Sequence, residues 1–126
     1  IEELFRINAV SNIVRRVRED CEYKGVHLRR NDRVALPNTV ANRDPHVFRD
    51  PQKIDLDREV NVHVTFGVGH HRCVGSHLAK REVMVSLQEW LRRIPDFELD
   101  PLAPAAGVFG GSVMGFAGLG LRWGAA

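Results

Sequence analysis

The sequence has little that would stabilise a small secreted domain or mark a membrane protein. Only two cysteines, Cys21 and Cys73, occur in 126 residues, so a disulfide framework is excluded and a reducing, cytoplasmic setting is expected. Charge of one sign is also scarce. Eighteen basic against sixteen acidic side chains leave a formal +2, too small a bias for a nucleic-acid-binding surface. The first residues, Ile-Glu-Glu-Leu-Phe-Arg, form a charged helical pattern and carry none of the apolar run of a secretion signal. The chain opens without Met, inside what reads as a helix, and a fragment is expected. Residues 101–121 hold no charge, long enough on paper to span a bilayer. Six glycines and two prolines in that stretch suit loops and a tight hairpin instead, so no membrane span is expected. No internal repeat or low-complexity tract is present. What remains is ordinary globular material, 44% hydrophobic and 27% charged.

Residues 1–9 predict a helix with Leu4, Phe5 and Ile7 inward. Residues 10–40 change to short β-type runs, among them Cys21–Tyr23 and Val26–Leu28 broken by Lys24-Gly25, the pattern of a small hairpin. Arg29–Asp32 reads as a polar turn, and 33–36 as an apolar run closed by Pro37. Residues 41–63 are rich in Asp, Arg and Pro and predict an ordered, irregular loop. The clearest helix covers 73–92, where Val74, Leu78, Met84 or Val85, Leu87 and Leu91 recur near helical spacing. That makes a rod of about 30 Å. Residues 97–126 predict an extended stretch and a Gly-rich hairpin region.

The chemistry converges on residues 64–75, which contain Thr65-Phe-Gly-Val-Gly-His-His-Arg-Cys-Val-Gly75. Gly67 and Gly69 permit a left-handed backbone and close approach to something flat or bulky. The loop delivers Cys73 to the start of the long helix, where free N–H groups and the positive end of the dipole favour a thiolate. Such a sulfur is a nucleophile or a metal ligand. Three other readings compete. Cys73 could be a small buried hydrophobe. It could join His70, His71 and His77 on zinc, although that spacing matches no usual finger or ribbon. It could be a nucleophile paired with a histidine, although no oxyanion hole or orienting acid is evident.

The string Phe66-x-x-Gly69-x-His71-x-Cys73-x-Gly75 resembles the heme-binding loop of the cytochrome P450 family. Glu3-Leu-Phe-Arg6 is similar to that family's Glu-x-x-Arg helix. Asn42-Arg-Asp-Pro45, followed by Phe48, Pro51 and Asp57-Arg58, is similar to its meander. Alone, Glu-x-x-Arg would suit any solvated helix face; three motifs in order are far more specific. The segment Glu-Trp-Leu-Arg-Arg-Ile-Pro ending at Pro95, with Trp123, resembles the bacterial camphor-hydroxylase type. The implied fold is mainly α with small β-sheets, the C-terminal part of the cytochrome P450 fold, with residues 1–126 as one portion of a longer domain.

The resemblance implies heme b (iron protoporphyrin IX), with Cys73 as axial ligand to the iron and Gly67 and Gly75 leaving room around it. It implies that Phe66 shields the sulfur, a role compatible with plain core filling. Arg15 and His71 match contacts to the heme propionates, although Arg15 beside Arg16 and Arg18 also reads as an exposed cation. Glu3, Arg6 and Arg58 match a buried ionic triad that is structural rather than catalytic. Val10, Ser11, Ile13, Ser112 and Val113 match substrate-facing loops, and their character suggests a small apolar substrate. Arg72 is either a surface charge or part of a face for a redox partner, and His63, His70 and His77 receive no role.

The implied activity is a monooxygenase that inserts one oxygen atom from O2, with electrons from NAD(P)H through a ferredoxin-type partner. A heme-binding or sensor module without oxygenase activity, or a zinc-binding structural domain, is the rival reading. The family's Ala-Gly-x-Asp/Glu-Thr stretch is missing from the sequence. The nearest string, Ala106-Gly107-Val108-Phe109-Gly110, lacks both acid and alcohol, so this chain is expected to need the missing N-terminal portion for turnover.

Overall fold

The computed structural model describes residues 1–110 and 112–124. They divide into two compact units, one of Glu2–Gly67 and one from Val68 onward together with Ile1. The division falls inside the 64–75 loop.

In the first unit, helix α1 covers Glu2–Ile7 and strand β1 covers Asn12–Arg16. Strands β2 (Cys21–Tyr23) and β3 (Val26–Leu28) pair antiparallel, with Tyr23 opposite Val26. The two residues between them, Lys24 and Gly25, both take positive φ, at 49° and 78°. That backbone is the two-residue turn whose twist matches a hairpin, and Gly25 adopts it without a steric cost. Strand β4 (Arg33–Pro37) returns antiparallel to β1, placing Arg15 opposite Val34. Helix α2 (Asn38–Ala41) follows directly, where a purely β region is expected from sequence. Four residues are too few to display a helical period. Residues 42–64 form turns without a strand or helix.

Helix α1 does not bury the face its apolar residues suggest. Its buried residues are Glu3 and Arg6, whereas Leu4, Phe5 and Ile7 are only half-buried. The interior of this unit is a polar knot bordered by Phe48 and Ala9.

In the second unit, a single 3-10 turn at Gly69–His71 leads to helix α3, Ser76–Arg93. The helix begins three residues later than the 73–92 periodicity predicts. Residues 73–75 make a tight turn in which Ser76 N–H donates to Cys73 O at 3.3 Å, and Gly75 caps the helix with φ −81° and ψ 4°. Glycine costs roughly 1 kcal/mol inside a helix and is better placed at its edge. The stripe expected to be inward is exposed: Val74, outside the helix, is 99% exposed and Leu78 63%. Ser76 is the buried residue of α3, so the described residues supply no partner for that stripe.

Strand β5 (Phe97–Leu99) pairs antiparallel with β8 (Leu121–Trp123), and β6 (Ala106–Gly110) pairs with β7 (Val113–Gly118). The rings of Phe97 and Trp123 both meet Trp90 of α3 edge-on, with centroids 5.9 and 6.0 Å away. Such T-shaped pairs favour the aromatic quadrupole and fasten the helix to the sheet. Gly120 permits a close approach, since a Cβ there would lie 2.5 Å from that of Ala103. Strands outnumber helices among the described residues, so the mainly α character expected of the fold is not displayed by this chain. Only one stretch of the sequence sustains a helical period long enough to make a long helix.

Candidate functional site

Glu3 and Arg6 sit one helical turn apart on α1, close enough for a two-pronged ion pair. Arg6 Nε and Nη2 each donate to a carboxylate oxygen of Glu3 at 2.7 Å. The remaining guanidinium hydrogens reach three main-chain carbonyls: Nη1 donates to Asn42 O and Pro51 O at 2.8 Å, and Nη2 to Lys53 O at 3.1 Å. All five donors of the fork are thereby used, which makes a fully buried cation tolerable. Arg58 completes the group, with Nε 3.1 Å from Glu3 Oε2 and Nη1 donating to Arg49 O. Both guanidinium groups lie over the ring of Phe48, at 5.1 and 5.9 Å from its centroid. Glu3, Arg6 and Arg58, grouped in the sequence by resemblance alone, are in contact.

Glu3 also accepts from Asp55 N–H and from Asn61 Nδ2, both at 2.9 Å. The Arg6 hydrogen bonds, with help from the Asp55 amide and Arg58, overcome the opposing effect of burial. They hold the Glu3 carboxyl at about 2, down from an ordinary 4.5. A depressed carboxyl stabilises the fold fully above about pH 4.5, and that contribution is lost as the pH falls toward 2. The lowering corresponds to about 3 kcal/mol. Denaturant midpoints measured between pH 6 and pH 2.5 are expected to fall by most of that amount, and a Glu3→Gln protein should lack this part of the slope. Identical pH slopes for the two proteins would contradict it.

Sequence reasoning missed the residue at the centre of this knot. Asn42 is fully buried. Its Nδ2 donates to Arg6 O at 3.1 Å and to Thr65 Oγ1 at 2.8 Å, and its Oδ1 accepts the Val64 N–H at 2.8 Å. Thr65 Oγ1 in turn donates to Phe5 O at 2.7 Å. The one signal available was position, since Asn42 stands first in the Asn-Arg-Asp-Pro string.

The loop residues are divided between the units. In the first unit, Phe66 packs its ring 5.0 Å from that of Phe5 and 6.2 Å from His63. Gly67 takes φ +71° and donates its N–H to Val64 O at 2.8 Å. His63 takes part as well, with Nε2 3.1 Å from Glu2 Oε2. Arg15 lies exposed on β1, its Nη1 donating to Val14 O at 3.0 Å. Val10 is exposed, whereas Ser11 and Ile13 are half-buried.

In the second unit, Gly69 has φ +65° and accepts the Arg72 N–H at 3.0 Å, closing the turn that carries the exposed His71. Cys73 is a free cysteine, exposed in this chain. A Cβ built on Gly75 would lie 3.9 Å from Cys73 Sγ, so glycine leaves that flank of the sulfur open. Ser112 and Val113 are exposed, in and just after the turn before β7.

One accessible sulfur with an open flank suits an ion that takes a single protein ligand, as heme iron does. Zinc needs three or four protein donors, and no group of three His, Cys, Asp or Glu side chains that could hold a metal is found among the described residues. No helix of the described residues is long and apolar enough to cross a membrane.

The Cytochrome P450 family profile matches residues 1–103. Over 123 residues the chain is 44% identical to a protein of Sinorhizobium fredii named "Probable cytochrome P450 127A1", covering 97% of this chain and 29% of that one. It is 38% identical over 100 residues to the biotin biosynthesis cytochrome P450 of Bacillus subtilis, covering 79% of this chain and 25% of that one. Among solved structures it matches cytochrome P450 PksS of the Bacillus subtilis bacillaene polyketide synthase. The TM-score is 0.91 at 33% identity, over 97% of this chain and 32% of that one. The chain belongs to the cytochrome P450 family. It spans between a quarter and a third of the length of these relatives.

Proposed function

We propose that the chain is the heme-ligating portion of a bacterial, cytoplasmic heme-thiolate monooxygenase acting on an apolar organic substrate. The observation that carries this reading is the exposed Cys73 on its turn ahead of α3, flanked by Gly75, in a chain of this family. Heme b, when bound, supplies the iron at which one oxygen atom of O2 is passed to substrate.

The chain's own residues hold and tune that group. Cys73 would hold the iron through its thiolate, which would supply an electron-rich donor to the group's oxygen chemistry. Main-chain N–H groups just after it hydrogen-bond the sulfur and moderate its donation. Phe66 would border the bound group, and Gly67 and Gly75 would leave space for a flat macrocycle. Arg15 and His71 pair with the propionates, Arg15 through two parallel N–H donors. Val10, Ser11, Ile13, Ser112 and Val113 face the substrate. Arg72, Lys80 and Arg81 contribute positive charge to the face that docks a ferredoxin-type partner relaying electrons from NAD(P)H.

The test is the absorption spectrum of the reduced carbon monoxide complex of the full-length enzyme. A strongly red-shifted Soret band is expected, absent in Cys73→Ser and retained in Cys21→Ser. An unshifted band would mark histidine-ligated heme and a sensor-type module. Equal effects of the two substitutions would remove Cys73 from the ligand role.

A further inference from the structure

Residues 64–67 form a tight turn, closed by the Gly67 N–H donating to Val64 O at 2.8 Å. Within it, Thr65 Oγ1 accepts from Asn42 Nδ2 and donates to Phe5 O, at 2.8 and 2.7 Å. The Thr65 N–H reaches His63 Nδ1 at 3.3 Å. His63 is a titratable group for which the heme-thiolate reading has no use, and its side chain is only 5% exposed. A main-chain N–H can only donate, so Nδ1 is bare and the single ring proton sits on Nε2, 3.1 Å from Glu2 Oε2. The neutral ring therefore ties α1 to the turn. Of the two acids on α1, Glu2 faces the ring, while Glu3 faces Arg6 and Arg58. Phe5 and Phe66, with centroids 6.4 and 6.2 Å from that of His63, bring no charge.

A second proton can enter the ring only at Nδ1, where it meets the Thr65 N–H. Two donors cannot share a bond, so Thr65 is released. On the other side, the same proton turns the contact with Glu2 into an ion pair and strengthens it. One protonation thus favours one partner of the ring at the expense of the other. We propose that His63 is a proton-operated latch, holding both Glu2 and Thr65 when neutral, and keeping Glu2 but freeing the 64–67 turn when protonated. Every group involved lies within residues 2–67, so the latch is independent of the heme-thiolate reading.

The test is amide exchange of the full-length protein between pH 7.5 and pH 5, corrected for the intrinsic pH dependence of exchange. Glu3, held at about 2, keeps its charge across this range. Protection of the Thr65 amide is expected to fall about tenfold as His63 takes up its proton. In His63→Asn, Oδ1 replaces Nδ1 as acceptor for the N–H two residues on and does not titrate. That variant is expected to hold the parent's pH 7.5 protection within about twofold throughout. His63→Leu, with no acceptor, is expected to be about tenfold less protected at every pH. PH-independent protection in the parent, or a fall in His63→Asn equal to the parent's, would overturn the latch. If the variants do not accumulate, the parent decides alone. Exchange of the ring C2 hydrogen reports the protonation of His63, and loss of Thr65 protection must share its midpoint. Midpoints a pH unit apart would overturn the latch as well.

Discussion

Replacing Arg6 by Met is expected to destabilise the full-length protein by about 3–5 kcal/mol. Methionine fills a similar volume, so the loss is not one of packing. It comes from what Arg6 leaves behind. The Glu3 carboxylate keeps only Arg58, Asn61 and the Asp55 N–H as donors, and the carbonyls of Asn42 and Pro51 lose the guanidinium at 2.8 Å. Each stranded acceptor in a dry interior costs about 1–3 kcal/mol. Arg6→Lys should recover little of this, because one ammonium cannot reproduce a five-donor planar fork. Denaturant midpoints with an unchanged slope would measure the loss. A cost below about 1 kcal/mol would show that water reaches the knot.

The second large effect is an absence of turnover. Residues 1–126 alone, given a competent redox partner and NAD(P)H, are expected to form no hydroxylated product. The chain spans between a quarter and a third of its relatives, and its sequence has no Ala-Gly-x-Asp/Glu-Thr stretch of the kind the family resemblance leads one to expect. Uncontrolled access of water wastes reducing equivalents instead of oxidising substrate. The exposed apolar side chains of α3, Leu78 and Val85 on one side and Leu87 and Leu91 on the other, add a second obstacle, since uncovered apolar surface promotes association. Adding a polypeptide that supplies the remaining length of a relative should restore product formation. Substrate-dependent NAD(P)H oxidation coupled to product by the isolated chain would refute the expectation.

The sequence was most readable where backbone chemistry is local. Lys24-Gly25 marks a hairpin turn because few residues tolerate two successive left-handed conformations, and the strands pair about it as the sequence predicts. The loop around Cys73 stood out through its spacing of Phe, Gly, His and Cys. The interior of the first unit was unreadable for a physical reason. Hydropathy identifies a core by its apolar residues, but here Glu3, Arg6, Asn38, Asn42 and Thr65 are buried beside Ala9 and Phe48 alone among the apolar residues described. Their burial depends on partners up to 60 positions away, as between Phe5 and Thr65, and no local pattern encodes such partners. Helix α1 misled for the same reason. The start of α3 moved by three residues because Gly75 and the Ser76 to Cys73 bond settle the boundary, not the apolar period.

The knot joins the two ends of the first unit, with α1 bonded to Asn61 through Glu3 and to Thr65 through Phe5, and through Arg6 to Asn42. For recombination between relatives, this sets where a crossover can fall. A breakpoint anywhere between Ile7 and Thr65 parts at least one of these bonds, the one from Thr65 Oγ1 to Phe5 O always among them. A breakpoint at Val68 leaves every one of these bonds within a single parental block. Chimeras exchanged as the whole cassette 2–67 inherit an intact interior, and libraries that cut at the apolar β1–β4 ladder divide the very group that holds the segment closed.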